Sequence, residues 1–104
     1  MLFHVTASHV PADCLAYNLE RMPALVEWVE GSAALADGLG VKVHFFVNAA
    51  PEHVSYLLLE ADSLPPVTRF VDSIPIRQDF KVTPVVPDKE LAQLARDFMA
   101  QQGG

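Results

Sequence analysis

The sequence predicts an α+β fold in which strands and helices follow one another in the order βαββαβ, with a further helix at the end. Three observations predict it. Short segments alternate apolar and polar residues with the two-residue period of a half-buried strand. Other segments repeat apolar residues every three to four positions, as an amphipathic helix does. Proline and glycine separate these segments and mark the turns between them.

The first strand is predicted over residues 2–8, and it ends before Pro11 because proline disfavours both the strand ladder and a helical residue in front of it. A loop or short helix is expected over residues 12–21. Pro23 would break a longer helix there, since proline removes one hydrogen bond and clashes with the preceding turn. The first main helix is therefore predicted over residues 23–37, before a glycine-rich stretch.

Residues 40–62 predict a β-hairpin that organises the rest of the chain. Strict alternation in its first strand assigns Val41, Val43, Phe45 and Val47 to one face and Lys42, His44, Phe46 and Asn48 to the other. Its second strand, over residues 54–61, is largely apolar on both faces, which is typical of a central strand. The connection through Pro51 is short, so the two strands are expected to be antiparallel neighbours.

The second half of the chain predicts a helix, a strand and a last helix. Ser63 stands where the N-cap of the second helix is expected, and Pro75 closes that helix. The last strand is predicted over residues 78–86. A terminal helix over residues 88–101 carries an apolar stripe made of Leu91, Leu94, Ala95, Phe98 and Met99. We interpret the stripe as a docking face for the same chain or for a partner.

This order of elements is that of the split βαβ units in a ferredoxin-like fold, a four-stranded antiparallel sheet with both helices on one face. Strands one and three are expected to be central. With 104 residues, the chain is predicted to be a single domain over 1–104, with a core over 2–86 and the terminal helix over 88–101. The other sheet face lacks helices. A second copy of the chain is expected to cover it, in a dimer or a larger ring.

Composition narrows the classes of function. Hydrophobic residues make up 51 % of the chain, which predicts a packed globule. No apolar run approaches the ~20 residues of a membrane span, so no membrane partner is expected. The net charge of −6 argues against nucleic-acid binding. A single cysteine and the lack of a visible secretory leader favour the cytoplasm. No Gly-rich phosphate loop or CxxC motif occurs, so no cofactor is expected.

Candidate site residues lie on the predicted open face of the sheet. His4, His44 and Glu60 are the catalytic candidates, because an imidazole or a tuned carboxylate can exchange a proton near neutral pH. The expected ligand-binding residues are Thr6, Phe46, Tyr56 and Leu58. The two histidines and Glu60 could also hold a metal ion, but their spacing does not establish convergence. The alternative is structural: a histidine or tyrosine that makes one buried hydrogen bond, and a Glu60 paired with a lysine.

A second candidate set comprises His9, Asp13 and Cys14, in the loop after the first strand. A cysteine with a nearby histidine can act as a nucleophile. The alternative is that Cys14 is a small buried apolar filler. His53, in the hairpin turn, is expected to be solvated.

Three segments resemble the muconolactone isomerase family. Residues 1–5, MLFHV, resemble its opening strand, residues 79–85, DFKVTPV, its closing strand, and residues 56–63, YLLLEADS, its third strand. The resemblance implies a dimeric α+β barrel shared by two subunits, with a pocket for a small lactone ring. The region between residues 9 and 37 and the C-terminal helix differ from the family, and no catalytic glutamate is carried over.

Three functions therefore stay open. The first is a small-molecule-binding protein of the dimeric α+β barrel type, with its pocket between the sheet and a partner subunit. The second is an isomerase-like enzyme that moves a proton in a small lactone or acid. The third is a structural or regulatory homodimer with a filled interior. If a ligand binds on the open face, replacing His44 with alanine is expected to weaken binding without unfolding the chain.

Overall fold

The computed structural model describes residues 1–103 and confirms the α+β fold. Its strands are β1 (Leu2–Ser8), β2 (Lys42–Ala49), β3 (Val54–Glu60) and β4 (Asp79–Val85). Its α-helices are α1 (Met22–Leu39), α2 (Leu64–Asp72) and α3 (Asp88–Gly103). The sheet order is β2-β3-β1-β4 with every neighbouring pair antiparallel, which is the ferredoxin-like arrangement. As predicted, β1 and β3 are the central strands.

The segment between β1 and α1 folds into three short 3₁₀ turns, Pro11–Asp13, Leu15–Tyr17 and Leu19–Arg21. The Asn18 side chain holds them together, because its amide nitrogen donates to the carbonyls of Ala12 at 2.9 Å and Cys14 at 2.8 Å. The expected loop or short helix is therefore an ordered chain of turns. It fixes the backbone that carries Cys14.

The hydrophobic core lies between one sheet face and the helices α1 and α2. Alternate residues of β1 and β3 point into it, as do three residues of α2 spaced three and four apart along one face of that helix. These buried residues are Phe3, Val5, Leu57, Leu59, Val67, Phe70 and Val71. Ser63 stands at the N-cap of α2, as predicted, but its hydroxyl makes no capping bond.

A β-bulge in β2 overturns part of the predicted face assignment. Val43 pairs with Leu59 and Phe45 pairs with Leu58, so His44 is one residue too many for the ladder. One extra residue moves every later side chain of the strand to the opposite face. Phe45 and Val47 therefore lie on the open face, 39 % and 52 % exposed. Phe46 and Asn48 lie on the helix side, opposite Leu57 and Ser55, where the sequence prediction was wrong.

Helix α3 extends away from the rest of the chain. Each of its residues is exposed, and the apolar stripe of Leu91, Leu94, Phe98 and Met99 has no packing partner among residues 1–103. The molecule is elongated accordingly, with principal extents of 64 × 29 × 18 Å. Within the described residues, no helix combines the length and apolar character that crossing a membrane requires.

Candidate functional site

A cavity of about 460 Å³ lies on the helix side of the sheet, between α1 and the sheet end that carries the β2–β3 turn. Its walls are mostly apolar, and several polar side chains converge on it. No aspartate, glutamate, lysine or arginine is among the described residues that line it. The polar lining consists of His9, Cys14, Ser32, Asn48, His53, Ser55 and Gln78.

Aromatic residues form one wall of this cavity. The indole ring of Trp28 lies 6.0 Å from the ring of Phe46 in an edge-to-face arrangement and 5.5 Å from that of Phe70 in a tilted one. The indole nitrogen donates to Ser73 Oγ at 2.9 Å, which fixes the ring orientation. The bulge at His44 is the reason that Phe46 belongs to this wall rather than to the open face.

Three partly buried side chains, those of His9, Cys14 and His53, meet at the rim of the cavity. One potential ligand atom from each lies within 4.8 Å of the others. The sheet brings the two histidines together, because the antiparallel pairing of β1 with β3 ends at Ser8 and Val54. The next residues out, His9 and His53, therefore lie side by side, and the His9 amide donates to the His53 carbonyl at 3.1 Å.

The two imidazoles interact directly. Nδ1 of His53 lies 3.3 Å from Nε2 of His9, and the ring centroids are 5.1 Å apart in an edge-to-face arrangement. Burial, together with the neighbouring His53, lowers the pKa of His9 below the ordinary 6.5, while Gln78 and Asp13 act in the opposite direction. The lowered pKa favours the neutral form of His9, and one imidazole ring can then donate a hydrogen bond to the other.

His53 adopts a left-handed backbone conformation, with φ of 57°. Non-glycine residues seldom do so, because the Cβ approaches the backbone, and such strain concentrates at functional sites. The sequence predicted a solvated His53, and that prediction was wrong. The approach of His53 to His9 follows from the register of β1 against β3, which the sequence pattern does not reveal.

The open face carries the other predicted site residues. His4, Thr6, Tyr56 and Leu58 lie there, and the His4 ring is 6.4 Å from Phe45 and 6.3 Å from Tyr56. Phe46, the remaining predicted ligand-binding residue, faces the helices instead.

His44 and Glu60 form a pair at the edge of the open face, with 2.8 Å between Nε2 and Oε1. Their side chains are 31 % and 48 % exposed. The hydrogen bond from His44 lowers the pKa of Glu60 below its ordinary 4.5. The hydrogen bonds among the described residues do not join His4 to this pair, so the three catalytic candidates do not form one connected group.

No protein-family model matches this chain, and no curated protein is significantly similar to it. Its function is therefore argued from the chemistry of the cavity and of the open face.

Proposed function

We propose that this chain is a small-molecule-binding protein whose ligand occupies the cavity between α1 and the sheet. The observation that supports this is a volume of about 460 Å³ with apolar walls and a few convergent polar groups. Ligand sites in proteins typically have about 300–1,000 Å³ and this kind of lining. The proposed pocket is on the opposite side of the sheet from the one expected from the sequence.

The lining defines a class of ligand. Without a charged side chain among its described residues, the cavity offers no counter-ion to a strongly ionised ligand, whose burial would be costly. Trp28 and Phe46 provide flat apolar surface, while His9, Asn48 and Ser55 provide hydrogen-bonding groups. The proposed ligand is a small neutral ring compound with one or two polar substituents, a class that includes a lactone.

Fluorescence of Trp28 tests this proposal, because it is the only tryptophan in the chain and it lines the cavity. A panel of neutral ring compounds, lactones among them, is titrated while emission and thermal stability are recorded. A ligand is expected to shift the emission and to raise the melting temperature with increasing concentration. A panel with no member that does either would contradict the proposal.

A pair of substitutions on α1 locates the ligand. Ser32→Phe adds a bulky ring to the cavity lining and is expected to abolish binding. Ala33→Phe adds the same ring one residue later at an exposed position outside the lining, and binding is expected to persist. His44→Ala serves as the opposite control, since it weakens binding only if the ligand lies on the open face. Binding that survives Ser32→Phe and fails with His44→Ala would place the ligand there.

A second candidate function is favoured by the open face itself. We propose that a second copy covers this face, as in a dimeric α+β barrel, and that the shared chamber carries isomerase-like proton transfer. Phe45 exposes apolar surface next to His4, Val47 exposes more on the same face, and the His44–Glu60 pair supplies an imidazole oriented by a carboxylate. In this proposal His44 is the base, and Glu60 holds its ring in place.

Light scattering at several protein concentrations tests for the homodimer. Val47→Lys is expected to shift the population to monomers, because it buries an unpaired charge in the proposed interface. Val26→Lys is the matched control: the two valines are 52 % and 50 % exposed, but Val26 lies on α1, outside the proposed interface. A monomer at every concentration, or an equal effect of both substitutions, would contradict the dimer.

A further inference from the structure

We propose that His9, Cys14 and His53 form a zinc-binding site at the rim of the cavity. The proposal goes beyond small-molecule binding and does not depend on it, because all three metal-binding atoms come from the protein and none from the proposed ligand. They converge from two segments that are far apart in sequence: the turn segment after β1 and the β2–β3 turn.

The geometry is close to that of a metal site. In a tetrahedral zinc site with Zn–N near 2.0–2.1 Å and Zn–S near 2.3 Å, neighbouring ligand atoms lie about 3.3–3.8 Å apart. Nδ1 of His53 and Nε2 of His9 are already at 3.3 Å, and the set with Cys14 lies within 4.8 Å. A contraction of the set by about 1 Å would bring it to tetrahedral distances.

The ligand types select the metal. One thiolate and two neutral imidazoles suit zinc, whereas Mg²⁺ and Ca²⁺ prefer oxygen ligands. On binding, a Zn–S bond forms and the Cys14 thiol proton passes to solvent. The one proton between His9 Nε2 and His53 Nδ1 moves to the other nitrogen of the ring that carries it, which leaves both facing nitrogens free to bind the metal.

The backbone around the three residues is held in place before any metal arrives. Asn18 donates to the carbonyl of Cys14, and the His9 amide donates to the carbonyl of His53. The left-handed backbone of His53 ends the short 3₁₀ turn Ala50–Glu52, where the His53 amide donates to the Ala50 carbonyl at 3.1 Å. Because the three side chains also line the cavity, a fourth coordination position can face it and accept water or a ligand.

Titration of the full chain with Zn²⁺ and with Co²⁺, in the presence of a phosphine reductant, tests the site. One equivalent of zinc is expected to bind, and cobalt is expected to give the thiolate-to-metal charge-transfer absorption that only a Cys ligand produces. Mg²⁺ should neither bind nor compete. Cobalt binding without the thiolate absorption, or no zinc binding, would overturn the proposal.

Substitutions identify the ligands. His9→Gln, Cys14→Ser and His53→Asn are each expected to lower zinc affinity by roughly tenfold or more. Asparagine is chosen at position 53 because it tolerates the left-handed conformation, so the turn should survive. His44→Gln makes the same chemical change as His9→Gln but on the open face, and should leave affinity unchanged. Loss of zinc binding only in His44→Gln would instead place the metal there.

Alkylation of the wild-type chain gives a readout that does not depend on any variant folding. Cys14 is the only cysteine, so iodoacetamide labels one site, which mass spectrometry follows directly. One equivalent of zinc is expected to slow this labelling at least about tenfold, because a coordinated thiolate is protected. An equal rate with and without zinc would show that Cys14 does not bind the metal.

Discussion

The two faces of the sheet place their titratable groups in different surroundings. On the helix side, His9 and His53 are partly buried and bonded to each other, and no aspartate, glutamate, lysine or arginine is among the described residues that line the cavity. On the open side, His44 and Glu60 form a hydrogen-bonded pair that solvent reaches. A polar group that burial removes from water must find a partner inside the protein, whereas an exposed pair is screened and contributes little. The helix side therefore encloses its polar groups within one chain, whereas the open side leaves its polar pair in contact with solvent.

The largest expected effect separates the two faces at adjacent residues of β3. Leu57 points into the core and is fully buried, while Leu58 points to the open face and is partly buried. Leu57→Ala is expected to lower the free energy of unfolding by about 2–5 kcal/mol, from lost burial and the cavity left behind. Leu58→Ala should cost about 1 kcal/mol in the monomer, where less apolar area is involved. Chemical denaturation at low protein concentration measures both.

Measuring the stability costs of Leu57→Ala and Leu58→Ala at several protein concentrations tests the two faces further. If a second copy covers the open face, the cost of Leu58→Ala should rise as the protein is concentrated, because folding and association are then linked. The cost of Leu57→Ala should rise less, since that side chain is already out of reach of a partner. Equal costs for the two substitutions at low concentration would contradict the assignment of the faces.

A smaller effect, and one of opposite sign, is expected at the strained turn. His53→Gly relieves the left-handed conformation but also makes the unfolded chain more flexible. The variant is expected to be as stable as the wild type or more stable by up to about 1 kcal/mol, while losing the imidazole at the cavity rim. Thermal unfolding and zinc titration on the same samples give both results. A marked loss of stability would mean that the His9–His53 contact outweighs the strain.

Periodicity was sufficient to predict the fold but not the faces of β2. The alternation of Phe3, Val5 and Ala7 predicted β1 with its correct bounds and its correct buried side. In β2 the same reasoning failed after Val43, because a single bulged residue is invisible to a two-residue period. Because of this error, the prediction placed Phe46 on the open face, whereas in the structure Phe46 lines the cavity.

The candidate site was predictable only where local sequence determines it. His9 and Cys14 were singled out because they share one loop, but their partner His53 lies 44 residues from His9. Only the pairing of β1 with β3 joins them, and register is a tertiary property that composition does not reveal. The sequence likewise predicted an apolar stripe on α3 but not what packs against it. In the single chain this stripe is exposed.

The smallest expected effect concerns the His44–Glu60 pair of the open face. Because the hydrogen bond from His44 holds the pKa of Glu60 below its ordinary 4.5, the folded state keeps this carboxylate charged to lower pH than the unfolded state does. The associated stabilisation is therefore present above pH 4.5 and is lost as pH falls through the lowered pKa of the folded state. NMR titration of Glu60 should show this low pKa, and His44→Ala should raise it toward 4.5. His4→Ala is the control, since His4 makes no hydrogen bond to Glu60 among the described residues. If His44→Ala left the pKa of Glu60 unchanged, the pair would be a chance approach of two solvated side chains, and His44 would lose its proposed orienting partner.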